Sequence, residues 1–261
     1  MRRDADQVPE SIDHAPACVD HSALPIIAVA AAPRFMETPD SAIPHIGRVE
    51  VFIDDVTFQI DRPTDADRLL DDPTIRDANV ADDYMPYWAD IWPAARMMAK
   101  VVLREDWSKR LADGPVQVLE LGCGLGVAGL AALHRGLDVI FTDYDITAIR
   151  FAERNAKLNG FTRFRTMPLD WRCPPDDLKV PVILAADLTY ELRNIDPLLA
   201  LIRKMLLPGG VCLLTDPDRT PAPFLRQRLD EMQFRYSTQF VRAGEPGGHR
   251  PKGTLYRLSV D

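Results

Sequence analysis

The chain has 261 residues, 46% of them hydrophobic and 27% charged, with a formal net charge of −8. That is enough apolar content for a large soluble core, and the acidic balance excludes broad non-specific binding to phosphate backbones. The excess is local: residues 1–90 carry 19 acidic and 7 basic side chains, whereas residues 91–261 carry 20 and 24.

Residues 1–45 hold Pro9, Pro16, Pro25, Pro33, Pro39 and Pro44 without sustained periodicity, and read as a poorly ordered extension, or as sequence ahead of a start at Met36. Residues 46–92 read as a separate N-terminal segment. Within it, RVEVFIDDVTFQI (48–60) alternates apolar and polar residues around Asp54-Asp55, the pattern of a β-hairpin. Residues 61–83 contain eight aspartates and read as a solvated loop. A helix is predicted from Pro93, with Ala94, Met97, Met98, Val101 and Val102 as its apolar stripe. It opens the main domain, 93–261.

From Pro115 the chain alternates strand and helix. Strands are predicted at 116–121, 139–142, 164–169, 180–186 and 211–215. Helices are predicted at 127–134, 146–159 and 195–207, the last stopped by Pro208-Gly209-Gly210. This rhythm predicts a Rossmann-like α/β fold with a doubly wound parallel sheet. After a helix at 223–232, strands at 234–241 and 254–260 flank the turn-rich AGEPGGHRPKG, and they should pair antiparallel, making seven strands in all. Cys18, Cys123, Cys173 and Cys212 form no CxxC pair and have no histidine at ligand spacing, so no metal site is expected and a reducing, cytoplasmic setting is. No apolar run reaches the ~20 residues of a membrane span.

The chemistry concentrates between the first two parallel strands. Glu120 precedes Gly122, Gly124 and Gly126, and a turn this tight needs residues without Cβ so that backbone can approach a ligand. Asp143 ends the second strand, where a carboxylate can accept both hydroxyls of a ribose. Gly124, Gly126 and Gly129 also fit the dinucleotide pattern GxGxxG, so a nicotinamide cofactor is the competing reading. Against it, an acid stands just before the first glycine, where a pyrophosphate would be repelled, and the pattern starts two residues late.

VLELGCGLG followed by FTDYD resembles motif I and the acidic strand end of class I, seven-β-strand S-adenosylmethionine methyltransferases. PYWADIWPAA, LDW (169–171) and ADLTY (186–190) are similar, more narrowly, to the protein-lysine methyltransferases of methyltransferase family 16. The resemblance implies S-adenosylmethionine held by Trp92, Glu120, Gly122, Gly124, Gly126, Asp143, Asp170, Trp171 and Ala186. Glu120 would face the cofactor's ammonium, Asp143 the ribose, Trp171 the adenine ring and Asp170 its amine. Read without the resemblance, Trp92 and Trp171 are equally core aromatics, and Asp170 a cap for the segment after it. The resemblance makes Asp187 and Tyr190 catalytic: Asp187 orients an amine that must lose its proton before attack, and Tyr190 supplies a ring face and a hydroxyl. It implies a protein partner presenting a lysine. The alternative is a small amine or pyridine, with nucleic acid disfavoured because DLTY lacks the Pro-Pro of the nucleic-acid amino methyltransferases. No membrane partner is expected, and a monomer is. For a protein acceptor, residues 48–83 should form an open groove beside Tyr190; for a small amine, they should close as a lid.

Overall fold

The computed structural model describes residues 35–260, apart from Pro44 and Pro246. Strands β1 (Ile46–Ile53) and β2 (Val56–Pro63) form the expected antiparallel hairpin, turning at Asp54-Asp55. Its alternation buries Val51, Ile53, Phe58 and Ile60 on one face. Residues 61–83, expected as a loop, are largely structured instead. β2 runs on to Pro63, a 3-10 turn spans Asp67–Asp71, and helix α1 spans Pro73–Asp82. Asp72 accepts a hydrogen bond from the Thr74 amide at 2.8 Å, and Pro73 takes the first helical position. Both are helix-start devices. Only Ile75 of α1 is buried, which is why no apolar period announced the helix.

Helix α2 (Pro93–Arg104) begins where expected and buries Ala94, Met97, Met98, Ala99 and Val102. A single turn, α3 (Ser108–Leu111), leads into the alternating region. There the elements are β3 (Gln117–Leu121), α4 (Val127–His134), β4 (Asp138–Asp143), α5 (Ile146–Leu158), β5 (Phe164–Pro168), β6 (Val180–Ala186), α6 (Leu192–Met205), β7 (Leu206–Asp216), α7 (Ala222–Glu231), β8 (Arg235–Arg242) and β9 (Lys252–Ser259).

The last seven strands form one sheet in the order β5-β4-β3-β6-β7-β9-β8. β3 to β7 run parallel, and β9 lies antiparallel between β7 and β8. One boundary differs from expectation. α6 starts at Leu192 and ends at Met205, and Pro208-Gly209-Gly210 lies inside β7. Leu206 pairs with Val180 and Val211 with Val182, so those residues loop out of the ladder rather than stopping the helix.

The two-residue period of the strands sends alternate side chains to opposite faces. Val118, Phe141, Leu184 and Leu213 join α2, α4, α5 and the hairpin in one core. Leu119, Ile140, Ile183 and Leu214 join α6 and α7 in the other. The hairpin thus shares a core with the sheet, and it lies in the same compact unit, Pro33–Asp261. It docks on α5, where Asn155 accepts from the Asp61 amide at 2.8 Å and Asn159 from the Gln59 amide at 2.9 Å. Asp61 is clamped by Arg48 and Arg154, each at 2.7 Å.

The expected extension needs correction at its end. Residues 1–34 lie outside the described residues, but 35–43 are packed. Met36 bridges to Asp145, and Thr38 is buried. Among the described residues, no helix is long and apolar enough to cross a membrane.

Candidate active site

The glycine turn lies at the C-terminal edge of β3. Gly122 and Gly124 have φ of 54° and 50°, in the left-handed region that disfavours side chains. Space excludes them as well: a Cβ on Gly122 would meet Leu188 Cδ2 at 2.6 Å, and one on Gly124 would meet the Trp88 carbonyl oxygen at 3.3 Å. Gly126 is the N-cap of α4, whose free amides open toward the turn.

Asp143, at the end of β4, accepts from the Gly124 amide at 2.9 Å and from the Asp145 amide at 3.1 Å. Burial pushes its carboxyl up to about 6, and backbone amides only partly offset this. Glu120 shares the face of Val118 and therefore points at α4. There it accepts from the Gly129 amide at 3.0 Å, and burial pushes it up to about 8. Its carboxyl is thus bonded to the helix start, leaving its other lone pairs for a ligand. A buried carboxyl on β3 and a half-buried one ending β4, beside a tight glycine turn, fit a ribose-bearing cation.

The block before α2 closes over this turn. Trp92 caps the start of α2 and donates from Nε1 to the Tyr87 carbonyl at 2.7 Å. Trp88 is buried, and its Nε1 donates to Thr38 Oγ1 at 3.3 Å. Thr38 Oγ1 in turn donates to Asp145 Oδ2 at 2.7 Å, and the Tyr84 hydroxyl donates to the same oxygen. The N-terminal residues therefore strap the far end of β4, two residues beyond Asp143.

Trp171 stands beside the turn, its Cζ2 3.5 Å from where a Gly122 Cβ would lie. Asp170 accepts from the Arg172 amide at 2.9 Å and from Arg172 Nε and Nη2 at 2.9 and 3.0 Å, the arrangement of a cap for the turn that follows it.

At the end of β6, Ala186 pairs in register with Thr215 of β7. Asp187 follows in the left-handed region (φ 60°) and is buried. Tyr190 lies one loop further, its ring 5.3 Å from Tyr87, whose ring is 5.8 Å from Trp92. Burial raises the Tyr190 hydroxyl well above the ordinary phenol range, which keeps it protonated. The structure thus gathers Trp92, Asp187 and Tyr190, and adds two residues missed in the sequence. Tyr87 sat inside the matched block PYWADIWPAA. Arg219 sits in TDPDRTP, which has no motif; only the adjacency of β7 to β6 brings it to Asp187, at 2.7 and 2.9 Å.

The hairpin docks on α5 and reaches the block before α2 through Arg62 of β2, which pairs with Asp90 at 2.7 Å. The acidic segment comes closer: Asp83, beyond the end of α1, pairs with Arg193 at 3.1 Å, and Asp82 with Arg172 at 3.3 Å.

A seven-stranded sheet of this order, with a glycine turn after β3 and an acid ending β4, defines a class I S-adenosylmethionine-dependent methyltransferase, and S-adenosylmethionine is its cofactor. Residues 86–228, more than half of the chain, match the lysine methyltransferase family, and the chain belongs to that family. A ribosomal protein L11 methyltransferase of Thermus thermophilus is 37% identical over 46% of this chain and 45% of its own. A histone-arginine methyltransferase, METTL23 of Xenopus laevis, is 27% identical over 46% and 52%. The chain spans about half the length of the curated relatives it matches. Among solved structures, the Pyrococcus abyssi tRNA (uracil-54, C5)-methyltransferase in complex with S-adenosyl-L-homocysteine shares the fold. Its TM-score is 0.50 at 16% identity, covering 81% of this chain and 44% of that one.

Proposed function

We propose that this protein transfers a methyl group to the side-chain amine of a lysine in a protein. The observation that carries the reading is a buried carboxylate, Asp187, joined through Arg219 to the Trp92 ring, which adjoins Tyr87 and, beyond it, Tyr190, one strand over from the glycine turn. An anion beside aromatic faces suits a nitrogen that becomes a methylammonium.

S-adenosylmethionine supplies a sulfonium methyl for in-line displacement. The residues of this chain do the rest. Gly122, Gly124 and Gly126 admit the methionine part, Asp143 accepts the ribose hydroxyls, and Trp92, Trp171 and the Ala186 backbone line the pocket. Glu120 supports the turn through Gly129 and offers its remaining lone pairs to the ammonium. Asp187 orients the amine, which gives its proton to solvent before attack because its ordinary pKa is about 10.4. Tyr190 Oη donates a hydrogen bond and its ring faces the developing charge. Alignment does most of the catalysis.

The names of the relatives, acting on ribosomal protein L11 and on a histone, support a protein acceptor. The test is incubation with radiolabelled cofactor and a cell lysate, split into protein and low-mass fractions, followed by acid hydrolysis of the labelled protein. Methyl-lysine is expected; label confined to the low-mass fraction, or methyl-arginine alone, overturns the lysine reading. Asp143→Ala should abolish cofactor binding in calorimetry, and Asp187→Ala should spare binding and lose turnover.

A further inference from the structure

Arg219 follows β7 and is anchored at its backbone, where its amide donates to Asp216 Oδ1 at 2.9 Å. Asp216 is fully buried and also accepts from the Thr189 hydroxyl, so the loop position is fixed. The side chain reaches from there across the site. Nε and Nη2 meet the two oxygens of Asp187, and Cζ lies 5.6 Å from the centre of the Trp92 ring. The burial of the pair is lopsided: the Asp187 side chain is 6% exposed and that of Arg219 36%.

That asymmetry has a physical meaning. A carboxylate taken out of water needs a positive partner, and removing the partner is strongly unfavourable. A guanidinium with one side in solvent loses little by moving out. The anion depends on having a cation there, but not on that cation being Arg219. A fork bonded to both oxygens competes with any second cation for the same carboxylate. The carboxylate is the group that the proposed function gives to the acceptor nitrogen, and the Trp92 ring adjoins Tyr87, which adjoins Tyr190.

We infer that Arg219 is a built-in stand-in for the acceptor: it fills the cation seat on Asp187 in the free protein and leaves when the acceptor's nitrogen enters. This inference rests on the acceptor site assigned under the proposed function. The seat then selects for acceptors that arrive as cations, because a neutral group cannot replace the guanidinium on a buried carboxylate. The arriving ammonium releases its proton only after it has displaced Arg219.

The experiment uses the full chain, labelled with 15N at the tryptophan indoles, and n-butylammonium chloride as a lysine head-group probe. The Trp92 indole signal, assigned with Trp92→Phe, reports occupancy of the seat. Arg219→Ala and Arg219→Gln should both bind the probe about tenfold more tightly than the wild type. Arg219→Lys, which restores a competing cation, should return toward wild-type affinity, and Asp187→Asn placed on Arg219→Gln should abolish binding. Arg219→Gln can still donate to Asp187, so it carries the test if the alanine variant does not fold. Equal or weaker binding in the neutral variants would show that Arg219 only positions Asp187, and would overturn the inference. Because this readout involves no turnover, it is independent of the lysate experiment. A protein that methylates lysine while its neutral variants ignore the probe keeps its function and loses the stand-in.

Discussion

Glu120 and Asp143 owe their unusual state to strand parity. Positions 118 and 120 of β3, and 141 and 143 of β4, face α4 and α5, so Glu120 is carried out of water and Asp143 half out at adjacent strand ends. Without a nearby cation both are held toward the neutral form, Glu120 at about 8 and Asp143 at about 6. A positive ligand favours the ionised forms. Cofactor binding near pH 7 should therefore release a fraction of a proton, and affinity should rise as pH climbs from about 6 to about 8. Calorimetry in two buffers of different ionisation enthalpy measures this; tight binding without proton release would show that Glu120 does not sense the ligand. The free protein behaves oppositely. A raised pKa means the folded state binds more protons than the unfolded one, so stability contributed by Glu120 is lost as pH rises from about 4.5 to about 8, and Glu120→Gln should flatten that slope in denaturant titrations. The acids themselves were legible in the sequence from their places around the glycines. Their bonding was not, because the Gly129 amide and Arg172 reach Glu120 and Asp170 only through helix and turn geometry.

Among the elements, the N-terminal strap depends on one side chain. Asp145 caps α5 through the Thr147 amide at 2.7 Å and accepts from Thr38 and Tyr84. Asp145→Ala should lose about 2–4 kcal/mol in urea unfolding, a helix cap plus a buried hydrogen bond, and should weaken cofactor binding through its neighbour Asp143. Thr38→Val should lose about 1 kcal/mol. The reason the strap was not legible is that it rests on scattered polar contacts, which leave no period in the chain. α1 was obscured differently: its start signal, Asp72-Pro73, is present, but a helix with one buried residue inside an aspartate-rich segment reads as loop until it has a surface to lie on. By contrast α5, with seven buried residues at helical spacing between Asp145 and Gly160, announced both of its ends.

The described residues are held by two cores, one on each face of a single sheet, and the hairpin completes the first. Phe58 is buried there against the edge of His134, at the end of α4 away from the glycine turn. Phe58→Ala should lose about 3–5 kcal/mol of stability while leaving the cofactor Kd unchanged, measured by thermal unfolding and calorimetry on one preparation. A parallel loss of affinity would mean that the hairpin shapes the site after all.

Periodicity and turn chemistry along the chain were enough to specify the α/β alternation, the hairpin, the antiparallel final pair and the glycine turn between two acids. These features are written in neighbouring residues, where backbone sterics and burial impose a period or demand a residue without a side chain. Strand order was not written there, and neither was anything that depends on it. Which strand ends lie side by side follows from how the sheet packs, and that adjacency joins Arg219 to Asp187 across 32 residues, while packing of the strap on α5 brings Thr38 to Asp145 across more than a hundred.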